Sequence, residues 1–218
     1  MCSWSGTERN MSTTAWKGPD EVEIKLRLPS RAAYDAVAAL LAPSWAQDHV
    51  LEDFYFDGSG GELDAALLAL RCRIYDHDKR AMLTVKGKPV MHEGVSRASE
   101  AEEELPDPAA ARAFVSDPRA LFGLELKLIE DCRRQCGLTD LVSLGGFTNL
   151  RREFDWEGHV LQLDKATFAH GTLYELELET SSPEKLRPKL EAFLLARGIE
   201  FGHSAASKFA NFRHSTLR

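Results

Sequence analysis

The sequence lacks a long hydrophobic run and an excess of positive charge. None of its apolar runs approaches the roughly 18 residues that a membrane-spanning helix needs. Lysine and arginine total 27 against 34 aspartate and glutamate residues, which gives a formal charge of −7. General affinity for nucleic acid or for an anionic membrane requires a basic surface. We therefore expect neither nucleic acid nor membrane as a partner.

Cysteine and histidine are few and are not spaced as metal ligands. The 4 cysteines form no CxxC pair, and the 7 histidines form no HExxH or HxH motif, so zinc is not implied. The start of the chain has no apolar segment that could act as a secretory signal, so we expect reduced thiols and a cytoplasmic location. Residues 1–19 are rich in serine and threonine. We interpret them as a disordered extension, with a transit peptide to an organelle stroma as the alternative.

The remaining composition is that of an ordinary folded protein. The chain has 218 residues, of which 44% are hydrophobic and 28% charged, so one large domain or two small ones can form. The glycine-rich stretch 58–61 is not followed by the GK[ST] of a phosphate-binding loop. We assign residues 20–218 to a single folded domain.

Eight segments have the alternation or composition of β-strands, at about 21–28, 49–56, 67–75, 81–88, 95–104, 147–156, 159–164 and 172–180. Helices are predicted at about 31–42, 108–117, 120–136, 183–197 and 204–213, with Ser30 as an N-cap and Gly137 after a C-terminus. This order lacks the strand–helix alternation of a parallel sheet. A large antiparallel sheet tends to close and so remove its edges. We predict an α+β fold, an eight-stranded antiparallel β-barrel with helices packed outside.

Charged residues alternate with apolar ones along five of these strands. Successive side chains of a strand point to opposite faces, so each of the following sets shares one face: Glu21, Glu23, Lys25 and Arg27; Arg71 and Arg73; Thr84, Lys86 and Lys88; Glu100, Glu102 and Glu104; Glu175, Glu177 and Glu179. For any one strand, a solvated outer face is the simpler interpretation. Glutamate and lysine are poor strand formers, and like charges on one face repel each other. Five such faces therefore favour a functional interior.

The two kinds of charge suit two kinds of ligand. Carboxylates two residues apart on a strand can converge on a divalent cation, which prefers oxygen ligands. Arginine and lysine side chains are suited to phosphate oxygens. Acidic and basic pairs that face one lumen predict a site for a metal and a polyphosphate.

The ordered series of pairs resembles the CYTH superfamily, the triphosphate tunnel metalloenzymes. Glu21-x-Glu23-x-Lys25 is similar to the ExExK signature of that family. The resemblance spans about residues 20–213 and continues through Arg71-x-Arg73, Lys86-x-Lys88, Glu100-x-Glu102, Arg151, Asp164, Glu175-x-Glu177 and Lys208. The stretches GGFTNLR, YELELET and SKFANFR resemble the small plant members in particular.

The resemblance implies a tunnel in which acidic residues hold Mg²⁺ or Mn²⁺ and basic residues hold a triphosphate. The implied metal ligands are Glu21, Glu23, Glu175 and Glu177, while Asp164, Glu100 and Glu102 either bind metal or hold the basic groups in place. The implied triphosphate-binding residues are Lys25, Arg71, Arg73, Lys86, Arg151 and Lys208, with Lys88 as a further candidate. Catalytic roles fall to Lys25, Lys86, Arg151 and Lys208, which would stabilise charge on the phosphates, and Lys208 is also a candidate proton donor. Whether Lys88, Glu104 and Glu179 line the tunnel is left open.

The implied activity is metal-dependent hydrolysis of inorganic tripolyphosphate to pyrophosphate and phosphate by a monomer. Hydrolysis of thiamine triphosphate or a nucleoside triphosphate, and cyclisation of ATP, are alternatives on the same fold, and they need room for an organic group. A barrel that binds polyphosphate or nucleotide without turning it over is a hypothesis of another class. A carrier of apolar ligands is disfavoured because the predicted lumen is ionic.

Overall fold

The computed structural model describes residues 18–218. Within that range the strands are β1 (Asp20–Leu28), β2 (Trp45–Asp57), β3 (Leu68–Tyr75), β4 (Arg80–Gly87), β5 (Val90–His92), β6 (Val95–Glu104), β7 (Val142–Trp156), β8 (His159–Phe168), β9 (Gly171–Glu179) and β10 (Gly202–His203). The α-helices are α1 (Arg31–Leu41), α2 (Glu62–Ala65), α3 (Ala113–Ser116), α4 (Lys127–Cys136), α5 (Pro183–Leu195) and α6 (Lys208–His214). Most of the predicted N-terminal extension, residues 1–17, lies outside the described residues.

Eight of the strands close into an antiparallel barrel. Their order is β1-β9-β8-β7-β2-β3-β4-β6, and β6 pairs back onto β1 from Asp20 opposite Ser99 to Ile24 opposite Val95. The short strands β5 and β10 extend the sheet beside β6 and β1. The predicted eight-stranded barrel with outer helices is confirmed. No helix within residues 18–218 has the length and apolar character needed to cross a membrane.

The helices between β6 and β7 differ from the prediction. The predicted helix 120–136 is divided into a 3₁₀ segment, Pro118–Gly123, and α4, while the predicted helix 108–117 is a 3₁₀ segment, Ala109–Arg112, followed by α3. The outward-facing carboxylate of Glu103 accepts hydrogen bonds from the backbone amides of Lys127 and Leu128, at 3.1 and 2.9 Å. A carboxylate on the free amides of a helix N-terminus stabilises that end. Glu103 thus fixes where α4 begins, through a contact between distant segments.

The apolar faces of the strands point outward and pack under the helices. Leu70 and Leu83 belong to a cluster that includes Ile129 of α4. Ile24 and Leu176, on the opposite side of the barrel, belong to a second cluster that includes residues of α1 and α5. Burying one such side chain stabilises the fold by about 1.5–3 kcal/mol. Because the apolar faces of the strands are buried under these outer helices, the charged faces point into the barrel.

A third apolar cluster fills one end of the barrel and anchors α6. Tyr55, Phe147 and Phe168 form it, with Phe209 and Phe212 of α6 packed against them. The ring centroids of Tyr55 and Phe209 lie 4.6 Å apart, as do those of Phe147 and Phe168. The aromatic contacts hold α6 against the barrel, and its first residue, Lys208, is buried.

A pair of glycines allows β7 to lie against β2 near this end. Gly145 has a φ of 90°, in the left-handed region that favours glycine. A Cβ atom placed on Gly146 would lie 2.0 Å from the backbone oxygen of Asp53. The pairing of these two strands therefore requires glycine in the GGFTNLR stretch.

Candidate active site

The barrel encloses a cavity of about 980 Å³ whose wall carries most of the residues predicted from the sequence. The predicted residues that line it are Glu21, Glu23, Lys25, Arg71, Arg73, Lys86, Lys88, Glu100, Glu102, Arg151, Glu177 and Lys208. Glu179 also lines the cavity, and both it and Lys88 are exposed. Glu104 is exposed and does not line the cavity. Asp164 and Glu175 are fully buried behind the cavity wall.

Lys25 joins the carboxylates of β1 and β9. Glu177 is its cross-strand partner, and the Lys25 ammonium contacts the Glu177 carboxylate while lying 3.1 Å from Glu23 Oε2. Burial acts to lower the pKa of Lys25, but Glu177 and Glu23 outweigh it and raise that pKa well above its ordinary value. Lys25 is therefore a fixed positive charge in the lumen.

Lys86 lies among three carboxylates from β1 and β6. Its Nζ contacts Glu21 and lies 2.9 Å from Glu100 Oε2 and 3.6 Å from Glu23 Oε1. Burial, helped by the charge of Glu23, raises the pKa of Glu21 to about 8. Burial also acts to raise the pKa of Glu100, but Lys86 and Arg71 lower it to about 2. The Glu21 carboxyl thus readily holds a proton, whereas the neighbouring Glu100 carboxylate stays ionised.

Lys208 is surrounded by three carboxylates. Its Nζ lies 2.9 Å from Asp164 Oδ2 and 2.9 Å from Glu175 Oε2, and it contacts Glu177. Ser204 Oγ donates a hydrogen bond of 2.6 Å to Glu175 Oε1 and so fixes that carboxylate. Burial acts to lower the pKa of Lys208, but the carboxylates raise it above its ordinary value. The fully buried acids Asp164 and Glu175 hold Lys208 in place and keep it charged.

Arg151 shares two of these acids. Its Nε and Nη2 donate to the two carboxylate oxygens of Asp164 at 2.9 and 2.6 Å, and Nη2 also donates to Glu177 Oε2 at 2.8 Å. Asp164 is its cross-strand partner. Burial raises the pKa of Glu177, but Lys208, Lys25 and Arg151 lower it far more. Glu177 is therefore an ionised centre that ties three basic residues together.

Arg71 and Arg73 are held in different ways. Arg71 Nη2 donates to Thr84 Oγ1 at 3.1 Å and lies 3.4 Å from Glu100 Oε1 and 3.5 Å from Glu102 Oε1. The contact with Thr84 is an ordinary hydrogen bond, but both carboxylate contacts are long, so Arg71 is bound less tightly by acids than Arg73 is. Arg73 is paired with Asp53, a residue that was not predicted from the sequence.

Asp53 is one of several residues at the site that were not predicted from the sequence. Asp53 and Tyr55 share the inner face of β2, Gln162 lines the cavity from β8, and Ser204 fixes Glu175 from the segment before α6. The sequence contained a signal for Asp53. It alternates with Tyr55 on β2, just as Arg71 alternates with Arg73 on the adjacent β3, and adjacent strands place such residues side by side. Ser204 lies in a loop and carries no sequence signal of this kind.

The acidic residues fit a hard divalent cation by their chemistry, although they are not arranged as a finished cage. Among residues 18–218 no three acidic, histidine or cysteine side chains surround one point as a metal site. Glu21, Glu23 and Glu100 nevertheless converge from two strands on Lys86, and Glu21 and Glu100 are within hydrogen-bonding reach of each other. Mg²⁺ and Mn²⁺ bind such carboxylate oxygens. A metal site would form here if the cation replaced a proton held by Glu21 or displaced the Lys86 ammonium from these carboxylates.

A family model for the CYTH domain matches residues 20–212. The chain belongs to the CYTH domain family. The predicted resemblance is thereby confirmed at the level of the family, and the match covers every candidate site residue. A search of curated protein sequences found no match.

Solved structures resemble this CYTH chain over most of its length. One is the Hippeastrum protein HpAC1, proposed as an adenylyl cyclase and described as having a dominant triphosphatase activity; it is 37% identical, with a TM-score of 0.87, over 91% of this chain and 97% of that one. A Bacillus halodurans protein proposed as an adenylate cyclase is 19% identical, with a TM-score of 0.66, over 88% and 98% of the two chains. A Pyrococcus horikoshii protein, PH1012, is 19% identical, with a TM-score of 0.52, over 83% and 91%. The last two likenesses concern the fold alone.

Proposed function

We propose that this CYTH protein hydrolyses inorganic tripolyphosphate to pyrophosphate and phosphate inside the barrel, with Mg²⁺ or Mn²⁺. The observation that carries the proposal is a lumen in which basic side chains from four strands and α6 face one cavity and lie beside carboxylates: Lys25, Arg71, Arg73, Lys86, Arg151 and Lys208. The triphosphatase activity described for HpAC1 supports the reaction class. A long nucleic acid is not a suitable substrate, because the charges that bind phosphate lie inside a barrel of a chain whose overall charge is −7.

Binding of the polyanion would proceed by exchange of partners. Lys25, Lys86 and Lys208 are neutralised by carboxylates in the structure described here. Phosphate oxygens can take these positive charges, and the carboxylates released from them can then hold a metal. Adding only one of the two ligands leaves buried charges without a partner, which is costly. We therefore expect metal and tripolyphosphate to bind together more strongly than either binds alone.

We assign Glu21, Glu23 and Glu100 as the principal metal ligands, with Glu102 and Glu177 as further candidates. A bound Mg²⁺ or Mn²⁺ supplies neutralisation of phosphate oxygens and a lowered pKa for an attacking water. For Asp164 and Glu175, expected from the sequence as possible metal ligands, we favour the role of holding Lys208, because both are fully buried and lie within 2.9 Å of its Nζ.

The basic residues would act by stabilising charge. Phosphoryl transfer depends chiefly on positioning and on neutralising the charge of the transferred and leaving groups. Lys25, Lys86, Arg151 and Lys208 are anchored by ion pairs, so they are oriented before substrate binds. Removing one oriented donor of this kind costs about 10²–10³ in rate in other enzymes. The raised pKa of Lys208 favours a charge-stabilising role over that of proton donor.

A triphosphate with an organic group is the second candidate, and one observation favours it. Leu67, Pro89, Met91 and Phe209 line the same cavity as the charged residues. An organic group could contact this apolar part of the wall while its phosphates lie among the basic residues. Thiamine triphosphate and ATP would both meet this description.

Turnover of tripolyphosphate, thiamine triphosphate and ATP, measured side by side under identical conditions, tests the proposal. We expect the largest kcat/KM for tripolyphosphate. A larger value for either organic triphosphate would overturn the substrate assignment while keeping the reaction class. Calorimetric binding of tripolyphosphate without any release of phosphate would instead identify a binding protein.

A further inference from the structure

A second cavity, of about 460 Å³, adjoins the main one at Arg151. Tyr75, Arg151 and Gln162 line both cavities. The rest of the second wall comes from the start of β2, the turn between β3 and β4, and β7. The Arg151 guanidinium is therefore part of the wall of both spaces.

The carboxylates of the second cavity are already engaged. Asp76 accepts hydrogen bonds of 2.8 Å from the backbone amide of Val50 and lies 2.8 Å from His49 Nδ1. Glu153 accepts a hydrogen bond of 2.7 Å from Gln47 Nε2. Neither acid forms an ion pair with a lysine or arginine within residues 18–218. These contacts satisfy the acids with neighbouring groups and leave the basic residues of the cavity available.

Two basic residues of this cavity have no acidic partner in the described part of the chain. Lys79 ends the turn after β3 and Arg80 begins β4, and both are exposed. Lys79 forms no ion pair with Asp76, although its charge helps to lower the pKa of that carboxyl. The Arg80 guanidinium lies over the Tyr75 ring, 4.1 Å from its centroid. Stacking of this kind orders the arginine and leaves its N–H groups free to bind an anion. His49, whose Nδ1 lies 2.8 Å from Asp76, adds a third polar group to the same wall.

We propose that the second cavity is a binding site for inorganic orthophosphate, formed by Lys79, Arg80 and His49. The site would receive the phosphate product after it passes Arg151, so that phosphate leaves the barrel away from bound pyrophosphate. The product role rests on the proposed hydrolysis, whereas the binding site itself does not. Lysine, arginine and histidine donors match the oxygens of a free phosphate ion.

Isothermal titration calorimetry with potassium orthophosphate tests the site without requiring turnover. The test variant is Lys79→Ala/Arg80→Ala. The matched control is Lys185→Ala/Arg197→Ala, which also removes one lysine and one arginine. The Arg197 guanidinium is stacked on the Phe193 ring, 4.0 Å from its centroid, and neither residue lines either cavity. We expect the test variant to bind orthophosphate about tenfold more weakly than wild type, and the control to bind as wild type does.

Equal phosphate affinity in all three proteins would overturn the proposal. So would loss of phosphate binding in Lys25→Ala with no loss in Lys79→Ala/Arg80→Ala, because phosphate would then bind only in the main cavity.

Where tripolyphosphate is hydrolysed, added orthophosphate should give mixed inhibition in wild type and about tenfold weaker inhibition in the test variant. Purely competitive inhibition that is the same in both would contradict the product role. Absence of hydrolysis would count against the proposed function alone, since the calorimetry still decides whether the site exists.

Discussion

The guanidinium of Arg73 donates two parallel hydrogen bonds to the carboxylate of Asp53, from Nε to Oδ1 at 2.6 Å and from Nη2 to Oδ2 at 2.8 Å. The two residues are cross-strand partners on β2 and β3, and both are buried. Burial acts to raise the pKa of Asp53, but Arg73 outweighs it and lowers that pKa below its ordinary value. Arg73 thus enters the tunnel already oriented, while Arg71, two residues earlier, is held only by contacts of 3.1–3.5 Å.

Asp53→Asn should destabilise the protein, because it leaves the buried Arg73 charge without its partner. Removing one partner of a buried ion pair costs about 3–5 kcal/mol. A carboxylate whose pKa is lowered by folding contributes stability above its unfolded pKa, and that contribution is lost as pH falls below about 4. Chemical denaturation at pH 7 and pH 3 should therefore show a smaller difference between variant and wild type at pH 3. A difference that is the same at both pH values would contradict the ion-pair account.

Gly146→Ala should destabilise the barrel, because the new Cβ would lie 2.0 Å from the backbone oxygen of Asp53. Overpacking of this kind costs about 1–3 kcal/mol or more, since backbone has to move. Gly123→Ala is the control, because a Cβ there meets no atom within 4 Å. Thermal unfolding of the two variants should give a clearly lower midpoint for Gly146→Ala. Equal midpoints would show that β7 can shift away from β2 without cost.

Glu21→Gln should strongly lower metal-dependent turnover without abolishing it, because it removes a principal proposed metal ligand while keeping the shape of the side chain. Loss of a group that stabilises the transition state typically lowers kcat by about 10²–10³. Glu104→Gln is the matched control, since Glu104 is exposed and does not line the cavity. The concentration of Mg²⁺ needed for half-maximal rate should rise for Glu21→Gln and stay unchanged for Glu104→Gln. An unchanged metal requirement in Glu21→Gln would exclude it as a ligand.

Lys208→Ala should lower kcat by about 10²–10³ and also destabilise the fold at neutral pH. The substitution removes a positive neighbour that lowers the pKa values of Asp164 and Glu177, so burial will raise both pKa values relative to wild type. A carboxyl whose pKa is raised by folding stabilises the protein as it becomes protonated, so the stability deficit of the variant should shrink as pH falls from 7 to 5. Urea denaturation across this range measures it, with the exposed Lys185→Ala as control. A deficit that grows at lower pH would contradict this charge balance.

Much of the barrel could be predicted because one pattern repeats in five of its eight strands. Polar–apolar alternation such as Glu21–Leu28 fixes both the strand and the face that is buried, and hydrophobic layers outside then direct the charges inward. The eight strands were predicted within a few residues, apart from the earlier starts of β2 and β7 and the later end of β8. Residues of one ionic face, such as Lys25 and Glu177, were therefore assigned to the lumen correctly without knowledge of their partners.

The remainder depends on contacts between distant segments. The break before α4 depends on Glu103 of β6, which binds the amides of Lys127 and Leu128. Neither the spacing of residues 120–136 nor their helix propensity predicts that contact. Likewise, the division of acids between Lys86 and Lys208 depends on strand register, which alternation alone does not give. Asp53 was missed because the alternation Asp53-x-Tyr55 is a weak signal until the pairing of Asp53 with Arg73 is known.

The most direct test of the central claim is ³¹P NMR of the products that form from tripolyphosphate with excess Mg²⁺ and, in parallel, with EDTA. We expect equal amounts of orthophosphate and pyrophosphate with Mg²⁺ and no hydrolysis with EDTA. Equal turnover in the presence of EDTA, or intact tripolyphosphate with Mg²⁺ in a folded protein that turns over an organic triphosphate, would contradict it.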